Sequence, residues 1–358
     1  MSKPLRALFF ASLTVLLAAS SPSASSPGAL GAVPTASPGP DLPLSVMTYN
    51  VMGLPWPVAF GREEALGQIA DRLADLRAQR RQPHILLLQE AFIADPVEFA
   101  RRAGYAHVAA GPDVAMRSPV TSLPADQAFL QDARWDRGEA IGKRMGSGLL
   151  ILSDWPIMAV DRIAYPAFAC AGFDCLANKG AMIAHLRVPG VAAPVAIVNS
   201  HLNARKAAGV PVARSLRAFD RQAGLLAAFV NRHVPRDRMM ILGGDFNIGG
   251  DRQRVAAFFG QMARASMDFV APPLGGGRRA LGDALLADAT ERHDLAEAVD
   301  RGKDWLFARD AAGSAMPVVQ AQVPFGGPEA TRLSDHVGYA LCYAPGGDTI
   351  RFASLENR

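Results

Sequence analysis

The stretch MMILGGDFN, residues 239–247, joins a continuous apolar run directly to a polar turn. A second continuous run, ILLL at 85–88, is followed in the same way by Gln89 and Glu90. Apolar runs without alternating polar residues are typical of strands that are covered on both faces of a sheet. The sequence therefore predicts a sheet that is buried between other layers and carries polar side chains at its edge.

Short apolar runs elsewhere predict the rest of the fold. Two stripes of apolar residues at helical spacing, from Leu66 to Leu76 and from Val212 to Val230, predict amphipathic helices. Helices and strands interleave, yet some neighbouring strands are joined by short turns, so we expect a mixed sheet sandwich with outer helices. Residues 249–301 are expected to be the least regular part. The predicted strands cover residues 44–52, 85–89, 148–152, 181–188, 195–200, 239–243, 305–308 and 337–343.

The amino terminus has the layout of a secretory signal peptide. Lys3 and Arg6 precede an apolar run from Ala7 to Ala19, and small residues follow it. We assign residues 1–26 to the signal peptide, 27–43 to a disordered linker and 44–358 to one folded domain. A secreted or periplasmic protein is therefore expected. A membrane anchor is the alternative, although this run is shorter than the roughly 20 residues that a membrane span needs.

Composition excludes several classes of protein. The 358 residues are 50% hydrophobic and 20% charged, with three cysteines, which excludes a disordered, coiled-coil or disulfide-framework protein. The net charge of +4 falls to +2 without Lys3 and Arg6, so there is no global attraction to nucleic acid. Cys170 and Cys175 are close enough in sequence to form a disulfide in an oxidising compartment, and three buried free thiols are the alternative.

Polar side chains stand where the predicted strands begin or end. Carboxylate and amide oxygens without cysteine suit Mg²⁺ or Mn²⁺ better than Zn²⁺. Two histidines beside such an ion fit metal-assisted attack of water on a phosphorus ester. Each motif alone has a simpler interpretation, such as a solvated glutamate, a turn or a helix cap. The candidate set is Asn50, Glu90, His201, Asp245, Asn247, Asp304, Asp335 and His336.

Six short motifs together resemble the endonuclease/exonuclease/phosphatase superfamily. They are TYNVMGLP at 48–55, LLLQE at 86–90, NSHLNA at 199–204, GGDFN at 243–247, KDWLF at 303–307 and SDH at 334–336. The resemblance extends from Leu44 to Tyr343. It implies a four-layered α-β-β-α sandwich with two mixed β-sheets flanked by helices. It also implies that residues 44–358 form a catalytic domain, a metal-dependent phosphoric ester hydrolase with Mg²⁺, or alternatively Mn²⁺, as its cofactor.

The resemblance implies a metal site and a catalytic base. Glu90 resembles the main metal ligand, Asn50 the amide that orients it, and Asp335 a further member of the metal site. His336 resembles the general base, and Asp304 the carboxylate that fixes its tautomer. An imidazole suits a base that works near neutral pH.

The same resemblance implies a phosphate-binding region. Asp245 and Asn247 resemble the pair that positions the attacking water and the scissile phosphate. His201 resembles the histidine that hydrogen-bonds a non-bridging phosphate oxygen. Asn178 and Lys179, in an Asn-Lys-Gly segment, resemble contacts to the substrate phosphate. For Lys179 the alternative is an ordinary turn lysine before a strand.

Substrate class is less constrained than the reaction. The opening Asn-x-x-Gly-Leu-Pro at 50–55 and the Asn-Lys-Gly segment resemble secreted neutral sphingomyelinase-like members, so a phospholipid at a membrane surface is the favoured substrate. Secreted bacterial sphingomyelinases tend to present an aromatic-tipped hairpin before the terminal Asp-His, whereas residues 318–333 offer only Phe325. Aromatic and aliphatic residues near the motifs suit either a lipid interface or ordinary packing, namely Trp56, Val58, Phe60, Phe168 and Phe173.

Three alternatives remain open at this stage. An extracellular nuclease acting on DNA or RNA would need a basic face, for which arginines and lysines between Arg62 and Arg144 are available. An inositol polyphosphate phosphatase also carries an Asn-Lys-Gly segment. A catalytically inactive scaffold would keep only a binding role. No protein partner is inferred.

Overall fold

The computed structural model of the protein describes residues 44–55, 58–270 and 289–344. The predicted signal peptide and linker lie outside the described residues. So do Trp56 and the middle of the region that was expected to be irregular. Among the described residues, no helix is both long and apolar enough to cross a membrane.

Eleven strands of the described chain form two mixed sheets. They are β1 (Leu44–Asn50), β2 (Ile85–Gln89), β3 (His107–Ala110), β4 (Leu150–Ser153), β5 (Ile157–Ala164), β6 (Gly180–Leu186), β7 (Val195–His201), β8 (Met240–Asp245), β9 (Asp304–Arg309), β10 (Val318–Phe325) and β11 (Gly338–Tyr343).

The strand order explains why the sheets are mixed. The first sheet runs β10-β11-β1-β2-β4-β3 and the second β5-β6-β7-β8-β9. In each sheet one central pair is parallel, β1 with β2 and β7 with β8, and the other pairs are antiparallel. Parallel neighbours place their carboxyl ends at the same edge, and this brings polar residues from different motifs together.

Helices cover both sheets. They are α1 (Arg62–Ala78), α2 (Pro96–Arg102), α3 (Pro124–Gln131), α4 (Val212–His233), α5 (Arg252–Arg264) and α6 (Ala289–Arg301). The apolar stripe of α1 packs on the outer face of the first sheet, and α4 and α5 pack on the outer face of the second. The predicted four-layered α-β-β-α sandwich is confirmed.

The continuous apolar runs have a direct structural cause. In β2, Leu86 and Leu88 pack with α1, whereas Ile85 and Leu87 lie in the core between the two sheets. All four side chains are fully buried. Because both faces of the strand are covered, apolar residues occupy both sets of alternate positions in this run.

Three of the described strands and four of the described helices were not predicted from the sequence. β3, β5 and β10 are all edge strands with partly exposed, mixed sequences. The expectation that 249–301 would be irregular is wrong for α5 and α6, which occupy both ends of that region. Asp251 caps α5 by accepting hydrogen bonds from the amides of residues 253 and 254, a signal that the sequence does contain.

The cysteine prediction is confirmed. Cys170 and Cys175 form a disulfide, and Cys342 is a buried free thiol in β11. The disulfide closes a short loop that precedes β6 and carries Asp174 and Phe173.

Candidate functional site

Strand register brings the candidate residues of the second sheet into one row. In the paired strands His201 of β7 lies beside Asp245 of β8, and Asp245 lies beside Asp304 of β9. In the first sheet the parallel pairing of β1 and β2 puts Asn50 beside Gln89, with Glu90 next in the chain. The two rows face each other at one edge of the sandwich.

Asn50 joins the two rows. Its amide Nδ2 donates to Glu90 Oε1 and to Asp245 Oδ2, each at 3.0 Å, although Asn50 and Asp245 are 195 residues apart. The Asn50 Oδ1 atom accepts from the backbone amide of Met52 and so orients the side chain. Two carboxylates are therefore held close together by one amide group.

The pKa values of the two carboxyl groups are shifted in opposite directions. Burial raises the pKa of Glu90 against the opposing effects of the Asn50 hydrogen bond and the Lys179 charge. Asp245 is also buried, but His201 and His336 overcome that effect and lower its pKa. Glu90 also has a left-handed backbone, with φ of 51°, which is unusual for a residue with a side chain and concentrates at functional sites.

His336 and Asp304 form a buried pair. The distance between His336 Nδ1 and Asp304 Oδ2 is 2.7 Å, and His336 Nε2 lies 3.8 Å from Asp245 Oδ2. Burial lowers the pKa of His336, but the Asp304 and Asp245 carboxylates outweigh it and raise the value to about 9. Ser334 ties this segment to the first sheet by donating to the carbonyl of Asn50 at 2.7 Å.

His201 is held as an acceptor. The Lys179 ammonium and the Asn247 amide, both of which can only donate, lie 3.1 and 3.2 Å from His201 Nε2. Burial and the Lys179 charge lower the pKa of His201 to about 4, which agrees with a neutral ring. In this arrangement His201 Nε2 accepts from groups of the protein itself, and its predicted hydrogen bond to a phosphate oxygen stays a prediction.

The Lys179 ammonium lies within this network and is fully engaged. Besides His201, it donates to the carbonyl of Leu202 at 3.1 Å and lies 3.1 Å from Asp174 Oδ1. Asn247 Nδ2 donates to the same carbonyl at 3.1 Å. Lys179 thus contributes a buried positive charge to the site rather than a free donor.

Two predicted site residues take other positions. Asn178 Nδ2 donates to the carbonyls of Asp113 and Met116, at 2.6 and 2.9 Å, so its donors hold a loop in this structure. Asp335 is exposed, and Arg301 donates to its backbone carbonyl. Asp335 is not in the cluster that Asp245 forms.

Several residues of the site were not assigned a role from the sequence. Gln89 Nε2 donates to Asn199 Oδ1 at 2.8 Å and joins the two sheets below the site. Arg254 is almost fully buried and donates to the carbonyls of Asn203 and Asn247 at 2.7 and 2.9 Å. Arg254 gives no sequence signal, because a single arginine in a helix is usually solvated.

Several of the basic residues that a nuclease would need are bonded within the protein. Arg62 donates to three backbone carbonyls of the loops around β1 and before His336. Arg77 pairs with Asp154, and Arg134 and Arg137 share Asp136.

The oxygen atoms at this edge are suitable ligands for a divalent cation. Glu90 and Asp245 present carboxylate oxygens to one shared amide, and Asp304 Oδ1 is buried without a hydrogen-bond partner. Among the described residues, one group of His, Cys, Asp and Glu has ligand atoms within 4.8 Å of one another, namely Asp245, Asp304 and His336. The oxygen-rich set, without cysteine, suits a hard cation.

Two mixed sheets with such an edge are the framework of metal-dependent phosphoric ester hydrolases. The chain belongs to the endonuclease/exonuclease/phosphatase family, whose model matches residues 47–336. No curated protein sequence gives a significant match to it.

Solved structures share the fold at low sequence identity. Sphingomyelinase C from Streptomyces griseocarneus is 20% identical, with a TM-score of 0.53, and the alignment covers 84% of this chain and 99% of that one. A beta toxin variant from Staphylococcus aureus with bound magnesium ions is 15% identical, with a TM-score of 0.52 and the same coverages. An endonuclease/exonuclease/phosphatase from Beutenbergia cavernae is 20% identical, with a TM-score of 0.53, covering 86% and 72%. At such identities the likeness concerns the fold alone.

Proposed function

We propose that this protein is a secreted, Mg²⁺-dependent phosphodiesterase that hydrolyses a phospholipid in the manner of a sphingomyelinase. The observation that carries the hydrolytic part is the Asn50 amide, which holds Glu90 and Asp245 together beside His336. We assign Glu90 and Asp245, with Asn50 as their orienting amide, as the residues that hold the ion.

The chain's own residues divide the work as follows. Asp304 accepts a hydrogen bond from Nδ1 of His336, so Nε2 faces Asp245 and the reacting centre, where it can accept a proton from water. Lys179, held by Asp174, supplies positive charge for a phosphate, and Asn247 fixes the orientation of His201. When bound, a divalent cation would offset the carboxylate charges, bring the pKa of His336 closer to neutrality and stabilise negative charge on the phosphate.

Surface chemistry favours a lipid over a nucleic acid. Val58 and Phe60, which follow the 50–55 motif, are 63% and 78% exposed, and Phe173 of the disulfide loop is 44% exposed. Exposed aromatic side chains suit the boundary of a membrane. Phe168, in contrast, is buried and has a packing role.

The test is a comparison of substrates under one set of conditions. Sphingomyelin vesicles, phosphatidylcholine vesicles, supercoiled DNA and inositol polyphosphates are each incubated with Mg²⁺ and with chelator. A His336→Ala variant purified in parallel reports contaminating activity. Metal-dependent release of phosphocholine from a lipid supports the proposal. Nicking of the plasmid without lipid hydrolysis would identify a nuclease instead, and release of inorganic phosphate from the inositol substrates would identify a phosphatase.

Export is part of the proposal. The signal-peptide layout of residues 1–26 supports it, and so does the Cys170–Cys175 disulfide, because such bonds persist in oxidising compartments. Expression of the full chain in a bacterial host, followed by mass determination of the protein outside the cytoplasm, tests it. A mature chain that begins near residue 27 is expected, and an uncleaved cytoplasmic chain would contradict the proposal.

A further inference from the structure

An open groove of about 1120 Å³ lies between the start of α1, the start of α2 and the loops that follow β1 and β2. Its apolar lining consists mainly of Leu54, Phe60, Leu66, Phe92, Ile93 and Phe99. Leu66 and Phe99 are buried and form the floor, whereas Phe60 at the rim is 78% exposed. The groove therefore presents apolar side chains to solvent in a concave surface, as ligand-binding grooves do.

The groove is connected to the candidate metal ligand Glu90 through the backbone of two of its lining residues. Two residues that line it, Gly53 and Phe92, donate their backbone amides to the carbonyl of Glu90, at 2.9 and 3.0 Å. A Cβ atom on Gly53 would lie 2.6 Å from that carbonyl oxygen and 3.3 Å from the side chain of Leu66. Only glycine lets the loop after β1 approach so closely, so the groove and the site share one wall.

The charges around the groove disfavour an anionic occupant. Arg62 and Arg102 line it, but Arg62 is bonded to three carbonyls and Arg102 is paired with Asp71. The remaining charged lining residues are acidic, namely Glu63, Glu64, Asp95 and Glu98. A polyanion such as DNA finds no free cation among these residues, whereas a neutral hydrocarbon chain needs none.

We propose that this groove binds the alkyl or acyl chain on the leaving-group side of the substrate while the phosphate lies at Glu90 and Asp245. The inference rests on the proposed function and adds to it a site for the apolar part of the substrate. It assigns Phe60 and Ile93 as specificity-determining residues. Their role is to favour long-chain phosphodiesters over short ones in proportion to the apolar area that the groove covers.

The experiment uses butyl, hexyl, octyl and decyl phosphocholine below their micelle concentrations, so that no lipid surface is present. Hydrolysis releases phosphocholine and the alcohol. Burial of one methylene raises binding by up to about fourfold, so kcat/KM should rise by about two- to fourfold per methylene until the groove is filled. The increase should appear mainly as a lower KM.

Two variants and one control test the assignment. In a Phe60→Ser, Ile93→Ser double variant, kcat/KM for the decyl compound should fall by at least tenfold and kcat/KM for the butyl compound by much less, so the rise with chain length flattens. Gly67→Leu, at a helical glycine that lines the groove, should shorten the preferred chain, because the new side chain occupies the same space. Trp135→Ser is the matched control: Trp135 is 75% exposed but lies outside the groove, so its loss should leave the series unchanged.

The experiment distinguishes a wrong assignment of the groove from a wrong proposed function. Hydrolysis of all four compounds with no dependence on chain length would contradict the proposal that the groove binds the chain, while the proposed phosphodiesterase function would stand. An equal effect of Trp135→Ser would contradict the same proposal. Calorimetric binding of the same compounds in chelator covers the case in which none is hydrolysed. Affinity that rises with chain length and falls in the double variant would support the groove while the proposed function fails, and flat affinity would overturn the groove as well.

Discussion

Replacement of Asp304 by asparagine should separate the role of its charge from its role in the fold. Asp304→Asn keeps the shape of the side chain but removes the carboxylate that lies 2.7 Å from His336 Nδ1. Burial lowers the pKa of His336 and the two carboxylates raise it to about 9, well above the ordinary 6.5. This increase corresponds to roughly 3 kcal/mol of stabilisation of the charged ring. Asp245 at 3.8 Å and the more weakly acting Asp335 would remain, so the pKa of His336 should fall by at least about one unit.

The effect on turnover follows from the same contact. In the Ser-His-Asp triad, loss of the carboxylate that orients the imidazole costs about four orders of magnitude in kcat. We expect a loss of roughly 10²- to 10⁴-fold here, with a smaller change in KM. The measurements are kcat and KM on a soluble phosphodiester at saturating Mg²⁺, together with NMR titration of the His336 ring in metal-free protein.

A matched control exists in the same chain. Asp161 in β5 lies 2.9 Å from His185 Nε2 and 3.1 Å from His233 Nδ1, outside the candidate site. Asp161→Asn should leave kcat unchanged. An Asp304→Asn variant that keeps more than a tenth of wild-type kcat, or an unchanged pKa for His336, would refute the assignment of this pair.

Four further predictions concern the metal, the buried arginine, the disulfide and pH. Glu90→Gln should raise the Mg²⁺ concentration needed for half-maximal rate by about tenfold or more with little change in the unfolding midpoint, as measured by metal titration and urea denaturation; an unchanged requirement would contradict its role as a ligand. Arg254→Met should lower the free energy of unfolding by about 3 kcal/mol, because it leaves buried carbonyls unpaired, and it should also lower kcat. Arg254→Lys should recover part of both losses. Equal behaviour of the two variants would argue against hydrogen bonding as the cause. Replacing Cys170 and Cys175 by serine should cost about 2 kcal/mol in urea denaturation, and reductant should then have no further effect on the variant. The metal-free protein should lose stability as pH rises from about 6.5 through 9, because the folded pKa of His336, at about 9, lies above its unfolded value. The contribution of His336 to the free energy of unfolding, roughly 3 kcal/mol, is present below that window and lost above it. Unfolding free energies that are flat over this range would contradict the raised pKa.

The strands that the sequence failed to predict share one property. β3, β5 and β10 lie at sheet edges, where a strand has one hydrogen-bonded neighbour and its sequence alternates less clearly. β5, with Asp161 and Arg162 among its residues, is an example. An edge strand is defined by the neighbour that it pairs with, and this neighbour is distant in sequence. Central strands such as β2 and β8 contain continuous buried apolar runs, at 85–88 and 240–242, and are therefore visible in the sequence alone.

In the candidate site, too, some features were predicted from the sequence and others were not. The resemblance and the strand ends brought attention to Asn50, Glu90, Asp245, Asp304 and His336, and the structure places these side chains at one edge. The engagement of Lys179 by Asp174, and the acceptor role of His201, follow from contacts between loops that the sequence does not relate. For that reason the hydrogen bonds that Asn178 and His201 make within the protein were not predicted, and their contacts to a phosphate stay predictions.

By itself the sequence determined the buried strands, the two main amphipathic helices and the residue types available for chemistry, because burial and helical period leave local patterns. Only the tertiary structure decided which polar groups meet. The hydrogen bond between Asn50 and Asp245 spans 195 residues, and the groove beside Glu90 forms between two helices and two loops from separate parts of the chain. Contacts of this kind depend on how the two sheets pack face to face, and that packing is not encoded in the spacing of neighbouring residues.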